Sequence, residues 1–234
     1  AVGNLLIAGL SDVLGDFQDA LDAIAKLTDS AGRVLPSVNL PLDIEADVAG
    51  LDDDPRIMRS VRGQVAVAST VGQVRRVRII PERPKANPET LQALLDADMI
   101  TLGPGSWFSS VLPHVLVPDI VEAITSSDAL RVIVLNLSSE PGETQGFSAE
   151  RHLHVLAQHA PNLRVDRVIV DEESLPNESE RVFVQRAASV LGATAVFRDV
   201  RQVDEDGQVF NKHCPEKLAA VFNELYAEHI CDAE

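Results

Sequence analysis

Met99-Ile100-Thr101-Leu102-Gly103-Pro104-Gly105-Ser106-Trp107-Phe108-Ser109-Ser110 is the stretch on which the fold turns. The short apolar run ahead of the glycines reads as a buried strand, and the segment from Val117 to Ile124 beyond it reads as a helix. The same alternation extends outward on both sides. Leu91, Leu94 and Leu95 mark a helix before it; Val132 to Leu135, Val168 to Val170 and Ala195 to Phe197 mark further strands. Between and after them lie helices over Ala149 to Gln158 and Arg181 to Leu191, and a last helix carrying Leu218, Val221, Phe222 and Leu225. Strand and helix in turn imply βαβ units, hence an α/β fold with a mostly parallel sheet flanked by helices.

Toward the start the pattern changes. Leu5, Leu6, Ala8, Gly9 and Leu10 follow Asn4 at helical spacing, and Asp16 stands as the cap of a second helix with Phe17, Ala20, Leu21, Ile24 and Leu27 on one face, ending at Gly32. Residues 33–80 then read as a β-rich insertion without crossover helices. Arg33 to Pro36, Ile44 to Val48, Gln64 to Ala68 and Val74 to Ile80 are its expected strands, interrupted by the acidic turn Asp52-Asp53-Asp54-Pro55. Antiparallel pairing follows from the short connections, and the insertion is expected to cap one end of a single domain spanning 1–234.

The 234 residues carry 20 Lys and Arg against 36 Asp and Glu, a net charge of −16, with 45% apolar residues. An apolar fraction of that size excludes a disordered chain, and the acidic balance removes the electrostatic basis for binding nucleic acid. No apolar stretch reaches the roughly 20 residues of a membrane helix, and Ala-Val-Gly-Asn at the start is not a secretory n-region. The chain is therefore read as cytoplasmic. Cys214 and Cys231 stand far apart without a Cys-x-x-Cys partner, so they are expected as free thiols.

In an open parallel sheet, ligands bind beyond the carboxyl ends of strands, where strand order reverses. Two loops qualify. In Gly103 to Ser110 the glycines allow close backbone approach, free N–H groups at a helix start favour an anion such as phosphate, and Ser106, Ser109 and Ser110 add hydroxyls. An ordinary strand-to-helix turn has the same appearance. In the loop from Asn136 to Ser148, the Asn136 amide can read a base or hold a loop, and Glu143 and Thr144 offer an acid and a hydroxyl beside glycine; a solvated carboxylate is the plainer role for Glu143. Ser148 is a natural N-cap. His152 and His154, two apart on a helix, face different ways and do not form a metal pair. Arg75, Arg76 and Arg78 read as a solvated basic face, and Lys212-His213 either meets an anion or lies on the surface.

Taken together, Val2-Gly3-Asn4-Leu5-Leu6, Gly32-Arg33-Val34-Leu35-Pro36 with Asn39, Leu102 to Ser106, Ser110-Val111-Leu112-Pro113 with Leu116-Val117-Pro118, and Pro141-Gly142-Glu143-Thr144 with Gly146-Phe147 resemble the CofD/YvcK-like family, in its YvcK branch of gluconeogenesis factors. They occur in the family's order over essentially the whole chain. Two departures accompany the resemblance. Members carry a Gly-rich loop after a first strand, about 100 residues upstream by the size of a half-domain, and that segment is expected to lie outside this sequence. Where the family shows an Arg-His-Asp run, this chain has Lys212-His213-Cys214, which keeps a charge but loses the bidentate fork.

The resemblance implies a Rossmann-like sheet and a nucleotide-sized ligand. In the YvcK branch that ligand is a UDP-sugar, notably UDP-N-acetylglucosamine, and the role is regulatory support of cell shape and cell-wall synthesis during gluconeogenic growth. The expected binding residues are Asn4, Gly103, Gly105, Ser106, Asn136, Glu143, Thr144 and Lys212, with no turnover, no resident cofactor, a homodimer as the commonest assembly, and cell-wall regulatory proteins as partners. The alternative is a transferase like the CofD branch, moving a phospholactyl group from a guanylated donor, with a divalent metal bridging the diphosphate near Glu143. A scaffold with an empty crevice is the third reading.

Overall fold

The computed structural model describes residues 2–54, 56–140, 143–175 and 177–233, so Pro55 of the acidic turn and Pro141-Gly142 of the second loop lie outside the described residues. The chain opens with α1 (Val2–Leu14) and α2 (Phe17–Leu27), the second capped by the Asp16 carboxylate, which accepts from Asp19 N. Helix α2 stops at Leu27 rather than Gly32: Thr28 takes the cap position, and its hydroxyl donates to the Ile24 carbonyl. Helix α1 buries none of its residues, and Leu5 and Val13 stand in solvent.

The insertion forms an antiparallel sheet from β1 (Asp43–Ala49), β2 (Met58–Arg62) and β3 (Gln73–Ile80), in the order β2-β1-β3. Two expected strands are absent. Gln64 to Ala68 is a helix, α3, because Gly63, at φ +102°, turns the chain away from the sheet and both edges of β1 are already paired. Arg33 to Pro36 is irregular, with the Arg33 guanidinium bonded to Asp22 and Glu89 across the turn.

The main sheet follows. After α4 (Pro88–Leu95), capped by Asn87, come β4 (Met99–Leu102), a π-helical turn at Trp107–Val111 that continues into α5 (Leu112–Val115), α6 (Pro118–Ser126) and β5 (Leu130–Val134). Then come α7 (Ala149–His159), β6 (Arg167–Asp171), a 3-10 turn at Glu172–Ser174, α8 (Glu178–Val190) and β7 (Thr194–Arg198). A hairpin of β8 (Arg201–Val203) and β9 (Val209–His213) leads to α9 (Pro215–Ala233). Strands β4, β5, β6 and β7 lie parallel in that order.

Strand alternation divides the core between the two faces. Leu130, Val132, Val134 and Ile169 face Val221 and Leu225 of α9. Ile133, Val168 and Val170 face the other helices, in a cluster that runs on through Leu112, Leu153 and Leu156 to Val48 and Val77 of the antiparallel sheet. The strand order does not reverse among the described residues. The glycine loop leaves the edge strand β4 rather than an internal switch point.

Candidate functional site

The loop after β4 is shaped by two glycines and fastened by two polar side chains from the loop after β5. Gly103 sits at φ +75°, and a Cβ there would lie 2.8 Å from the Val134 carbonyl oxygen of the neighbouring strand, so a side chain has no room. Asn136, two residues past β5, uses its whole amide on Gly105: Oδ1 accepts from Gly105 N at 3.0 Å, and Nδ2 donates to Gly105 O at 2.9 Å. Of the two roles open to Asn136, holding the loop is the one the geometry displays. Glu143 reaches under the helical turn, where its carboxylate accepts from Phe108 N at 3.0 Å and from the Ser109 hydroxyl. It is 5% exposed, so it is not a solvated loop carboxylate. An internal carboxylate thus takes the position at a helix start that an anion would otherwise fill.

Thr144 is likewise structural, its hydroxyl accepting from Glu140 N at 2.8 Å while its own N–H donates to Glu140 O. Ser148 caps α7 by accepting from Arg151 N. His152 is buried with its Nδ1 on the Ser148 carbonyl and its ring edge-on to Trp107, centroids 5.2 Å apart; His154 is exposed and bonded to Glu150. Trp107, fully buried, lies beneath the loop rather than in the cleft.

Above the loop opens a cleft of about 300 Å³, walled by Gly105, Asn136, Ser138, Glu140, Asn211 and His213. That is the lower end of the size range for small-molecule sites. Burial, with Glu143 nearby, pushes the Glu140 carboxyl above the usual carboxylate range. The far wall comes from β9, where alternation turns Asn211 and His213 inward and leaves Lys212 on the opposite, exposed side. Asn211 Nδ2 donates to Ser138 Oγ at 2.8 Å. His213 Nε2 is buried without a partner among the described residues, and burial holds the imidazole below its ordinary pKa.

A buried ion pair fixes that hairpin to the sheet. Asp171, at the carboxyl end of β6, accepts from Arg201 Nη2 at 2.9 Å, from Ser174 Oγ at 2.8 Å and from Val200 N at 3.3 Å. Arg201 in turn lies opposite His213 across the hairpin.

Of the residues singled out from sequence, Gly103, Gly105, Ser106 and Asn136 converge at the loop, Glu143 supports it from below, and Thr144 closes its own loop on Glu140. Asn4 and Lys212 are not brought to the cleft: Asn4 lies on the exposed surface of α1. Asn211, His213, Arg201 and Asp171 were not foreseen as a group. Asp171 carried a readable signal, a charge terminating the apolar strand Val168-Ile169-Val170. Glu143 is buried with its carboxylate turned onto Phe108 N and the Ser109 hydroxyl, and no three His, Cys, Asp or Glu side chains among the described residues converge on a metal position. No single helix among them is long and apolar enough to cross a membrane.

The profile of the family described as 2-phospho-L-lactate transferase CofD matches residues 1–210. The chain belongs to the CofD family. Within it, the chain is 49% identical over 233 residues to the Mycobacterium tuberculosis (strain H37Rv) protein named "Putative gluconeogenesis factor", covering all of this chain and 67% of the relative. It is 32% identical over 188 residues to the gluconeogenesis factor of Bacillus subtilis, covering 80% of this chain and 57% of that one. The chain thus spans about two thirds of the mycobacterial relative. Two crystal structures of a Bacillus halodurans protein, one described as a UPF0052 family member, superpose with TM-scores of 0.76 and 0.77 at 27% identity, over 94% of this chain and 71% of theirs. These neighbours agree with the α/β architecture and with the YvcK branch of gluconeogenesis factors.

Proposed function

We propose that this CofD-family chain binds a nucleotide sugar of the UDP-N-acetylglucosamine type in the cleft over Gly105, as a cytoplasmic regulatory protein that leaves the ligand intact and supports cell shape and cell-wall synthesis during gluconeogenic growth. The observation that carries the reading is the Asn136–Gly105 clamp, which presents a rigid glycine surface at the carboxyl ends of β4 and β5. Because Gly105 N and Phe108 N are committed to internal acceptors, contacts to a diphosphate fall to the side chains around the cleft, Ser138 and Asn211 among them. Relatives named gluconeogenesis factors support the link to gluconeogenic growth.

The CofD description of the family supports a second reading, transfer from a guanylated donor. It asks Glu143 to serve a metal or a proton in the cleft, and its burial under the helical turn, away from the cleft walls, argues against that.

Calorimetric titration with UDP-N-acetylglucosamine, with GDP as control and the full-length M. tuberculosis relative alongside, tests the proposal. Saturable binding of the UDP-sugar without release of a nucleotide product is expected. Saturation by GDP alone, or turnover of a nucleotide donor, overturns it in favour of the transferase. Gly105→Val forces a branched side chain onto a φ of +157°, a strain whatever the space, so its loss of binding is read beside its thermal midpoint; Asn211→Ala, which leaves that backbone untouched, should weaken binding with little change in stability.

A further inference from the structure

A second recess lies at the other end of α7, against the antiparallel sheet. It holds about 680 Å³, with Arg75, Arg76, Arg78, Arg83 and His159 among its walls. A neighbouring recess of about 610 Å³ shares Arg83, Leu116, Pro118 and His159 and continues along α6 past Val121 and Thr125 to Asn162. In a chain of net charge −16, four arginines around one groove require a local explanation.

The backbone supplies part of it. Asp47 pairs with Arg76 and Val48 with Val74, so Arg75 is an extra residue, a β-bulge in β3. The bulge breaks alternation and turns both Arg75 and Arg76 outward, while Val74 and Val77 stay buried. Arg83 sits at φ +52°, a left-handed conformation that side-chain-bearing residues rarely adopt and that glycine would occupy without strain. Their charges are not spent internally. Arg78 of the same strand is paired with both Glu45 and Asp47, whereas Arg76 and Arg83 make no ion pair or side-chain hydrogen bond among the described residues, and Arg75 bonds only the neutral Gln73 amide.

The floor is rigid: His159 Nε2 accepts from Val77 N at 3.1 Å, and its Nδ1 lies 2.7 Å from the Val155 carbonyl, so the ring pins the free edge of β3 to α7. Glu82 and Glu122 are the carboxylates of the walls. Leu116, Pro118 and Val121 add an apolar side, and Thr125 and Asn162 add neutral polar groups.

We propose that this groove is a binding site for a small phosphorylated metabolite, with Arg76 and Arg83 as its anion anchors. Guanidinium forks match phosphate oxygens in pairs, and the apolar wall suits the organic part of such a molecule. The acidic remainder of the chain is largely screened beyond about 8 Å at physiological salt, so the local arginines decide the sign of the site.

The test is calorimetry with inorganic pyrophosphate and fructose 1,6-bisphosphate as probes and citrate as the carboxylate comparison. A phosphate probe should bind with a Kd of about 1 mM or tighter, and Arg76→Gln with Arg83→Gln should weaken it about a hundredfold. Arg56→Gln, at an exposed arginine away from the groove, should leave it unchanged. Arg83→Gly is the variant that separates binding from folding: it should relieve the backbone, hold or raise the thermal midpoint, and still lose affinity. Since pyrophosphate also resembles part of a nucleotide sugar, Asn211→Ala, on the wall of the cleft over Gly105, is included; retained binding there keeps the probe in the groove. Absence of phosphate binding, binding by citrate alone, affinity surviving in the double variant, or affinity lost in Asn211→Ala each overturns the proposal.

Discussion

Replacing Glu143 with alanine isolates the contact that joins the two loops of the cleft. Its carboxylate accepts from Phe108 N at 3.0 Å and from the Ser109 hydroxyl, and both donors belong to buried residues. Without it, both donors face the space that the side chain leaves. An orphaned buried donor costs about 1–3 kcal/mol, so Glu143→Ala should destabilise the chain by about 4 kcal/mol in all. At about 2–4 °C per kcal/mol for a protein of this size, the thermal midpoint should fall by about 8–16 °C. Glu143→Gln is the discriminating partner. Its carbonyl can still accept from Phe108 N, and its NH₂ can donate to the Ser109 hydroxyl, which rotates to accept; only the stronger carboxylate bonds are lost, a cost of about 1 kcal/mol. Urea unfolding of the three proteins at neutral pH reads both differences. An alanine variant within about 1 kcal/mol of the parent, or a glutamine variant as damaged as the alanine one, would refute the argument that Glu143 acts as an acceptor for these two donors.

Gly103→Ala should cost at least the about 1–2 kcal/mol of a left-handed non-glycine residue, and more because its Cβ would meet the Val134 carbonyl oxygen at 2.8 Å; a thermal midpoint equal to the parent's would contradict this. Asp171→Asn leaves the Arg201 guanidinium half-buried beside a neutral partner and should cost about 3 kcal/mol, whereas Asp171→Asn combined with Arg201→Met should cost less than the two single changes added, as a double-mutant cycle in urea would read. Acid should destabilise the fold before its carboxylates protonate. Burial holds His152, His159 and His213 below the ordinary histidine pKa, so as pH falls below about 6.5 the unfolded chain takes up protons that the folded chain refuses, at up to about 1.4 kcal/mol per pH unit for each group. Glu140, shifted up by burial, works in the opposite sense and offsets part of this. Unfolding midpoints measured from pH 8 to 5 should be level above about pH 7 and fall below about 6.5; a rise toward pH 5 would be the contrary result.

The sheet was legible where burial imposed a pattern and illegible where it did not. β5 and β6 are covered on both faces, and their apolar runs can hardly be read as anything else. β2 leaves no pattern in the sequence because it is an exposed edge: Met58-Arg59-Ser60-Val61-Arg62 buries no residue, so nothing in it alternates. The β8–β9 hairpin is equally silent, for the same reason. The valine content of Gln64 to Ala68 suggests a strand, but over five residues Val65 and Val67 do not separate a strand from one helical turn. At the site, the glycines announced themselves through the backbone freedom they supply. Their fastenings did not, since Asn136 lies 31 residues from Gly105 and Glu143 lies 35 from Phe108, and hydrogen bonds over such separations leave no local pattern.

Helix α7 explains how an acidic chain can keep a glycine loop and an arginine groove at defined places on one frame. Its first turn is fixed by Ser148, and one turn on, His152 packs edge-on to the tryptophan beneath the loop. Its last turn carries His159, which takes the Val77 N–H that an edge strand would otherwise leave open. Eleven residues at 1.5 Å each make a strut of about 16 Å between the two. Both imidazoles serve in the neutral form. Each places Nδ1 against the carbonyl four residues earlier, which assigns the proton to Nδ1 and leaves Nε2 as acceptor. At His159 that acceptor is in use. A second proton there would set a donor against the Val77 N–H and release the edge of β3, so the burial that keeps the ring neutral is also what keeps the floor of the groove closed.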